Sequence, residues 1–239
     1  MTNVPKQRRR FLQQLIAVLP AGGACAVSST ISIAGGPGGG APNLRDEYKP
    51  SYFTPDEWIY LHAAVDRLIP TDTHGPGALA AGVPEYIDRQ MNTPYAFGKL
   101  WYMQGPFHVD LPAEFGFQMN LSPRDIYRLG IAECNRHCQR HYGEKIFAHL
   151  SRHAQDDVLK QMEQAKIMFD EVPARTFFAF LLEHTKEGFF ADPKYGGNKD
   201  MVGWKTVGFP GARADFADWI DQPDTKYPYG PVSIDGRRG

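Results

Sequence analysis

Two thiols and two imidazoles crowd one nine-residue run, Glu133-Cys134-Asn135-Arg136-His137-Cys138-Gln139-Arg140-His141. Thiolate and imidazole are the usual donors for zinc-like ions, so Cys134, His137, Cys138 and His141 form a candidate metal face. Tetrahedral ligation from a single helix is geometrically poor, however. Tyr127, Ile131, Cys134, Cys138 and His141 also recur at i, i+4, i+7, i+11 and i+14, which places both thiols on an apolar stripe as small buried hydrophobes. A third reading makes Cys134 or Cys138 a disulfide partner for another chain in an oxidising compartment. A bond between the two is disfavoured, because residues one turn apart point along the helix. No Cys-x-x-Cys-His haem signature occurs. All three readings stay open at this point.

The other reactive groups are sparse. Asn198, Lys199, Asp200 and Lys205 stand within residues 188–213, a stretch that mixes Phe189, Phe190, Tyr195, Trp204 and Phe209 with six glycines. No nucleophile with an adjacent base is visible there, and no glycine pattern sits between a strand and a helix to hold a dinucleotide. The stretch has neither helical nor alternating periodicity. It therefore reads as a long loop, too aromatic for disorder, offering rigid anchors to a partner. Asp66, Arg67, Asp72 and His74 read as a solvated helix face with a capped turn. His184 reads as a histidine satisfied near a helix C-terminus, where positive charge is favoured.

The elements that must position these groups are helical. Thr54-Pro55-Asp56-Glu57 and Ser122-Pro123-Arg124-Asp125 are helix starts, each with a hydroxyl cap, proline at the first position and an acid at the third. Trp58, Leu61, Val65, Leu68 and Ile69 follow the first at helical spacing. A short helix is expected over 84–91, a long one from Pro123 to Gly143, one broken helix or two around Ser151, and another from Pro173 to Gly188. Residues 92–121 alternate Pro, Gly and aromatics and predict irregular chain with one helical turn over 97–103. A short helix over 212–220 and an extended tail complete the reading. The fold class expected is mainly α: an irregular helical domain of five to seven helices with long aromatic, Gly- and Pro-rich loops.

The chain has 239 residues, 42% hydrophobic content and a net charge of −1. This is enough to bury a core, and it leaves no basic footprint for nucleic acid. Charge is uneven at the N-terminus: Lys6, Arg8, Arg9 and Arg10 precede an uncharged run to residue 44. Gln7-Arg8-Arg9-Arg10-Phe11-Leu12 matches a twin-arginine export signal, with Arg8, Arg9, Phe11 and Leu12 as its marks. The following segment is too interrupted by Gln, Pro and Gly for a span of about 20 apolar residues. Residues 1–34 are read as the signal, 35–50 as a Gly/Pro-rich linker and 51–239 as a single helical subunit domain. Loss of the signal would remove four positive charges and leave 22 basic against 27 acidic residues. Twin-arginine cargo is exported folded, and it commonly carries a cofactor or travels with a partner that does.

Phe53-Thr54-Pro55-Asp56-Glu57-Trp58, Arg67-Leu68-Ile69-Pro70-Thr71-Asp72, Gly82-Val83-Pro84-Glu85-Tyr86-Ile87-Asp88, Gly188-Phe189-Phe190-Ala191-Asp192-Pro193, Tyr195-Gly196-Gly197-Asn198, Gly203-Trp204-Lys205 and Gly208-Phe209-Pro210-Gly211 together resemble the gluconate 2-dehydrogenase subunit 3 family. The resemblance implies a small accessory subunit of a periplasmic dehydrogenase complex, peripheral to the inner membrane. A large subunit would hold FAD and oxidise a sugar or sugar acid, a multihaem cytochrome c subunit would pass electrons on, and the twin-arginine translocase would export the pair. This chain would hold no cofactor and no catalytic residue. Its expected contact residues are Trp58, Tyr195, Trp204, Lys205 and Phe209, with Cys134 and Cys138 as disulfide candidates. The competing expectation is a free-standing periplasmic metal- or ligand-binding protein using the Cys134/His137/Cys138/His141 face.

Overall fold

A computed structural model describes residues 48–239 except 109, 110, 112, 223, 224 and 226. Arg8, Arg9, Phe11, Leu12 and most of the linker lie outside the described residues. The fold is built of α1 (Pro55–Leu68), α2 (Val83–Gln90), α3 (Pro123–His141), α4 (Arg152–Glu163), α5 (Ala174–Phe190) and α6 (Val202–Val207), with five 3-10 turns. Among the described residues there are no strands, only isolated bridges such as Gly211 with Val232. The mainly α expectation holds.

Both proline-led helix starts form as capping boxes. Thr54 Oγ1 accepts from the Glu57 amide while Glu57 Oε2 accepts from the Thr54 amide at 2.9 Å. Asp125 closes the same loop with Ser122 at 2.9 Å, its shorter side chain notwithstanding. Each box satisfies amides that the first helical turn leaves without partners.

The central element is α5, which packs against α1, α2, α3 and α4. Its buried face carries Phe177, Phe178, Leu181, His184, Thr185 and Phe189. His184 is not at a solvated helix end: it is 1% exposed. Its Nε2 hydrogen-bonds the Tyr95 hydroxyl and its Nδ1 the Tyr127 hydroxyl, both at 2.9 Å, with the Tyr127 ring stacked at 5.6 Å. Burial lowers its pKa to about 4, so the ring is neutral and both nitrogens are satisfied, one as donor and one as acceptor.

A second buried polar hub fixes the chain entering α1. The Asp88 carboxylate, fully buried on α2, accepts from the hydroxyls of Tyr48 and Ser51 and from the amides of Ser51, Tyr52 and Phe53. Burial alone would raise its pKa, but these hydrogen bonds outweigh it and hold the carboxyl below its ordinary value. Asp66 and Arg67 are not merely solvated. Arg67 grips Asp156 through two bonds of 2.7 and 3.0 Å, and Arg152 reaches Asp66 at 2.8 Å, pairing α1 with α4. Asp72 caps its own turn by accepting from the His74 amide.

Several local expectations are corrected. Residues 94–101 form successive turns rather than a helical turn over 97–103; the 3-10 turn of that region is Ala113–Phe115. Gly188 lies inside α5, against the Tyr86 ring, and the helix continues to Phe190. The helix expected over 212–220 is a 3-10 segment, Ala214–Trp219. The tail folds back instead of extending: Val232 bonds Pro210 and Ala212, and Ile234 donates to Asp192 at 2.7 Å.

Candidate functional site: an aromatic partner surface

Residues 188–213 are not an irregular loop. They comprise the end of α5, the 3-10 turns Pro193–Tyr195 and Lys199–Met201, and the short helix α6. One buried side chain ties these pieces together. The Asn198 amide donates to the Gly188 carbonyl at 2.8 Å, its Nδ2 donates to Ala191 O at 2.9 Å, and its Oδ1 accepts from the Gly203 amide at 2.8 Å. Asn198 itself adopts a left-handed conformation, φ 44°, which asparagine tolerates better than most residues. Glycine is needed where backbones meet: a Cβ at Gly197 would lie 2.2 Å from Gly188 O, and one at Gly203 2.1 Å from Phe189 O.

This framework sorts the expected contact residues into two kinds. Trp204 is only 6% exposed. Its indole N–H donates to the Phe190 carbonyl at 2.7 Å and its ring meets Phe209 edge-on at 5.2 Å, which makes it a support for the surface. Tyr195 and Phe209 are each 48% exposed and Phe190 43%. A cleft of about 440 Å³ beside Phe190 and Tyr195 is lined also by Tyr86, Gln90, Glu187, Ala191 and Asp192. Burial raises the Glu187 pKa, partly offset by the hydrogen bond it accepts from Tyr86 at 3.2 Å. Lys205 is exposed, its stem near the C-terminal Gly239.

Trp58, on α1, is half-buried against His62 at 4.7 Å and Tyr48 at 6.0 Å. It is linked to the Tyr195 turn through a relay of contacts. The Arg89 guanidinium lies 5.7 Å from the Tyr48 ring centroid, and the Arg89 stem packs under Gly196. Buried Glu85 anchors this seam by pairing with both Arg89 and Lys199 at 2.5 Å.

A second set of exposed apolar groups stands in the aromatic loop expected over 92–121, outside the expected contact residues. Phe97, Leu100, Tyr102 and Phe115 all stand out from residues 94–117, Tyr102 at 81% exposure. They flank the packed Trp101, Phe117 and Phe180 cluster. The Pro/Gly/aromatic alternation signalled aromatic loops, but which rings turn outward depends on contacts with α5.

The metal face separates into two environments. Cys134 and Cys138 are free thiols, fully buried, and burial pushes the Cys134 pKa well above its ordinary value. His137 and His141 instead pair at the surface, ring centroids 4.4 Å apart, with His141 off the buried stripe. Among the described residues no group of three or more His, Cys, Asp or Glu is placed to hold a metal ion. A disulfide from either cysteine to another chain requires these covered thiols to come to the surface.

The family described as Gluconate 2-dehydrogenase subunit 3 matches residues 55–211. The matched span opens at α1 and closes just after Phe209, so it takes in Asp88, Asn198 and the whole aromatic surface. No curated protein and no solved structure matches the chain.

Proposed function

The chain belongs to the gluconate 2-dehydrogenase subunit 3 family, and from that premise we propose that it is the small accessory subunit of a periplasmic flavin-dependent dehydrogenase complex. It binds the large FAD-containing subunit, supports that subunit's folding and assembly, and carries it through the twin-arginine translocase by its own signal. The complex, completed by a multihaem cytochrome c subunit, lies peripheral to the inner membrane. FAD and haem c belong to the partner subunits.

The observation that carries this reading is the exposed ring set Phe190, Tyr195 and Phe209 standing on a hydrogen-bonded frame. Apolar groups grouped at a surface and held rigid are the usual anchors of protein interfaces, because little side-chain freedom is lost when they are covered. Their supporting glycines and asparagine lie within the family's matched span. The test is co-export. With Arg8→Lys and Arg9→Lys together, both this chain and its flavoprotein should remain in the cytoplasm. Flavoprotein reaching the periplasm in that variant would overturn the proposal.

A further inference from the structure

At the C-terminal end of α3, His137, Arg140, His141 and Tyr142 face Gln161 and Lys166 across a polar concavity of about 590 Å³. No carboxylate lines it. Among the described residues neither Arg140 nor Lys166 takes part in an ion pair, whereas the preceding arginine, Arg136, is engaged by Glu133, Asp170 and Glu171. Two permanent cations, two imidazoles and two neutral hydrogen-bonding groups therefore converge on one space that no side-chain carboxylate lines, the partial negative charge of the α3 C-terminus being the opposing contribution.

The histidine pair invites a metal reading, since imidazoles one turn apart can share an ion. The surrounding charge opposes it. A divalent cation would sit beside Arg140 and Lys166 with only two protein ligands, where stable sites commonly supply three or four. An oxyanion meets the opposite situation. Guanidinium and ammonium donate charge-assisted hydrogen bonds to it, imidazole, phenol and amide add neutral ones, and the like charges on the wall are relieved.

We propose that this concavity is a binding site for a phosphate-class oxyanion, held chiefly by Arg140 and Lys166 and oriented by His137, His141, Tyr142 and Gln161. The ligand is either free phosphate or the headgroup of an anionic lipid; Met168, 82% exposed at the rim, gives a lipid an apolar neighbour. The site shares no residue with the aromatic surface and does not depend on the assembly reading.

The test uses the full chain in low-salt buffer, with inorganic phosphate followed by calorimetry and phosphatidylglycerol vesicles followed by co-sedimentation, phosphatidylcholine vesicles serving as control. Binding in at least one arm is expected. It should weaken tenfold or more in Arg140→Ala/Lys166→Ala and be largely kept in Arg140→Lys/Lys166→Arg, with circular dichroism unchanged in both. Saturation by phosphate identifies a free anion as ligand, and binding to anionic vesicles alone identifies a headgroup. Failure of both arms, equal binding by the double alanine variant, or stoichiometric zinc uptake lost in His137→Ala with no anion bound would overturn the proposal.

Discussion

The indole nitrogen of Trp204 donates to the main-chain carbonyl of Phe190, fourteen residues earlier, across 2.7 Å, joining the last residue of the central helix to the short helix α6. Phe190 is thereby held with its ring outward while Trp204 is covered. The exposed rings are presented by this bond and by the three bonds of Asn198, and the surface is only as rigid as those bonds.

Loss of that support should therefore be read in stability before it is read in binding. Trp204→Phe keeps most of the packing and leaves the Phe190 carbonyl without its donor, at a cost of about 1–2 kcal/mol. Trp204→Ala adds a cavity and should cost about 3–5 kcal/mol. Urea denaturation of the two variants measures both values; a Trp204→Ala protein as stable as the parent would contradict the buried position.

His184 sets a second expectation. In the unfolded chain its imidazole takes up a proton near pH 6.5, but in the fold only near pH 4. Between these values the unfolded state binds more protons, so stability falls as pH drops through that window and is fully present above it. The drop should approach ~3 kcal/mol by pH 4. Denaturation midpoints at pH 7.5 and 4.5 should differ in the parent and differ much less in His184→Gln.

Asp88 acts in a lower window. Its folded pKa lies below the ordinary carboxyl value, so its contribution is present above about pH 4 and is lost as pH falls through the folded pKa. Asp88→Asn offers one acceptor oxygen where two carboxylate oxygens serve five donors, which strands buried donors. A loss of about 2–4 kcal/mol is expected at neutral pH, read by thermal melting.

What the sequence made legible is local chemistry. Thr54 and Ser122 announced α1 and α3 because hydroxyl, proline and acid at fixed spacing have one good use. The Tyr127, Ile131, Cys134 and Cys138 stripe was legible because α3 runs for five turns. Residues 188–213 were not, because α6 spans only six residues and shows no period, and because glycine there serves close backbone approach as well as turning. Gly188 signalled a helix end for the same reason: its role against Tyr86 depends on a residue about a hundred positions earlier. The burial of His184 was likewise hidden, since its partners Tyr95 and Tyr127 are remote in sequence.

The most direct measurement is the affinity of the full chain for the large flavoprotein subunit proposed as its partner, with and without the outward rings. Tyr195→Ala/Phe209→Ala removes two half-exposed rings; because Phe209 also packs edge-on against Trp204, a modest drop in melting temperature is expected, with the circular dichroism spectrum unchanged. Binding should weaken at least tenfold, about 1.4 kcal/mol. Unchanged affinity in that variant, with the fold intact, would contradict the claim that this surface receives the partner.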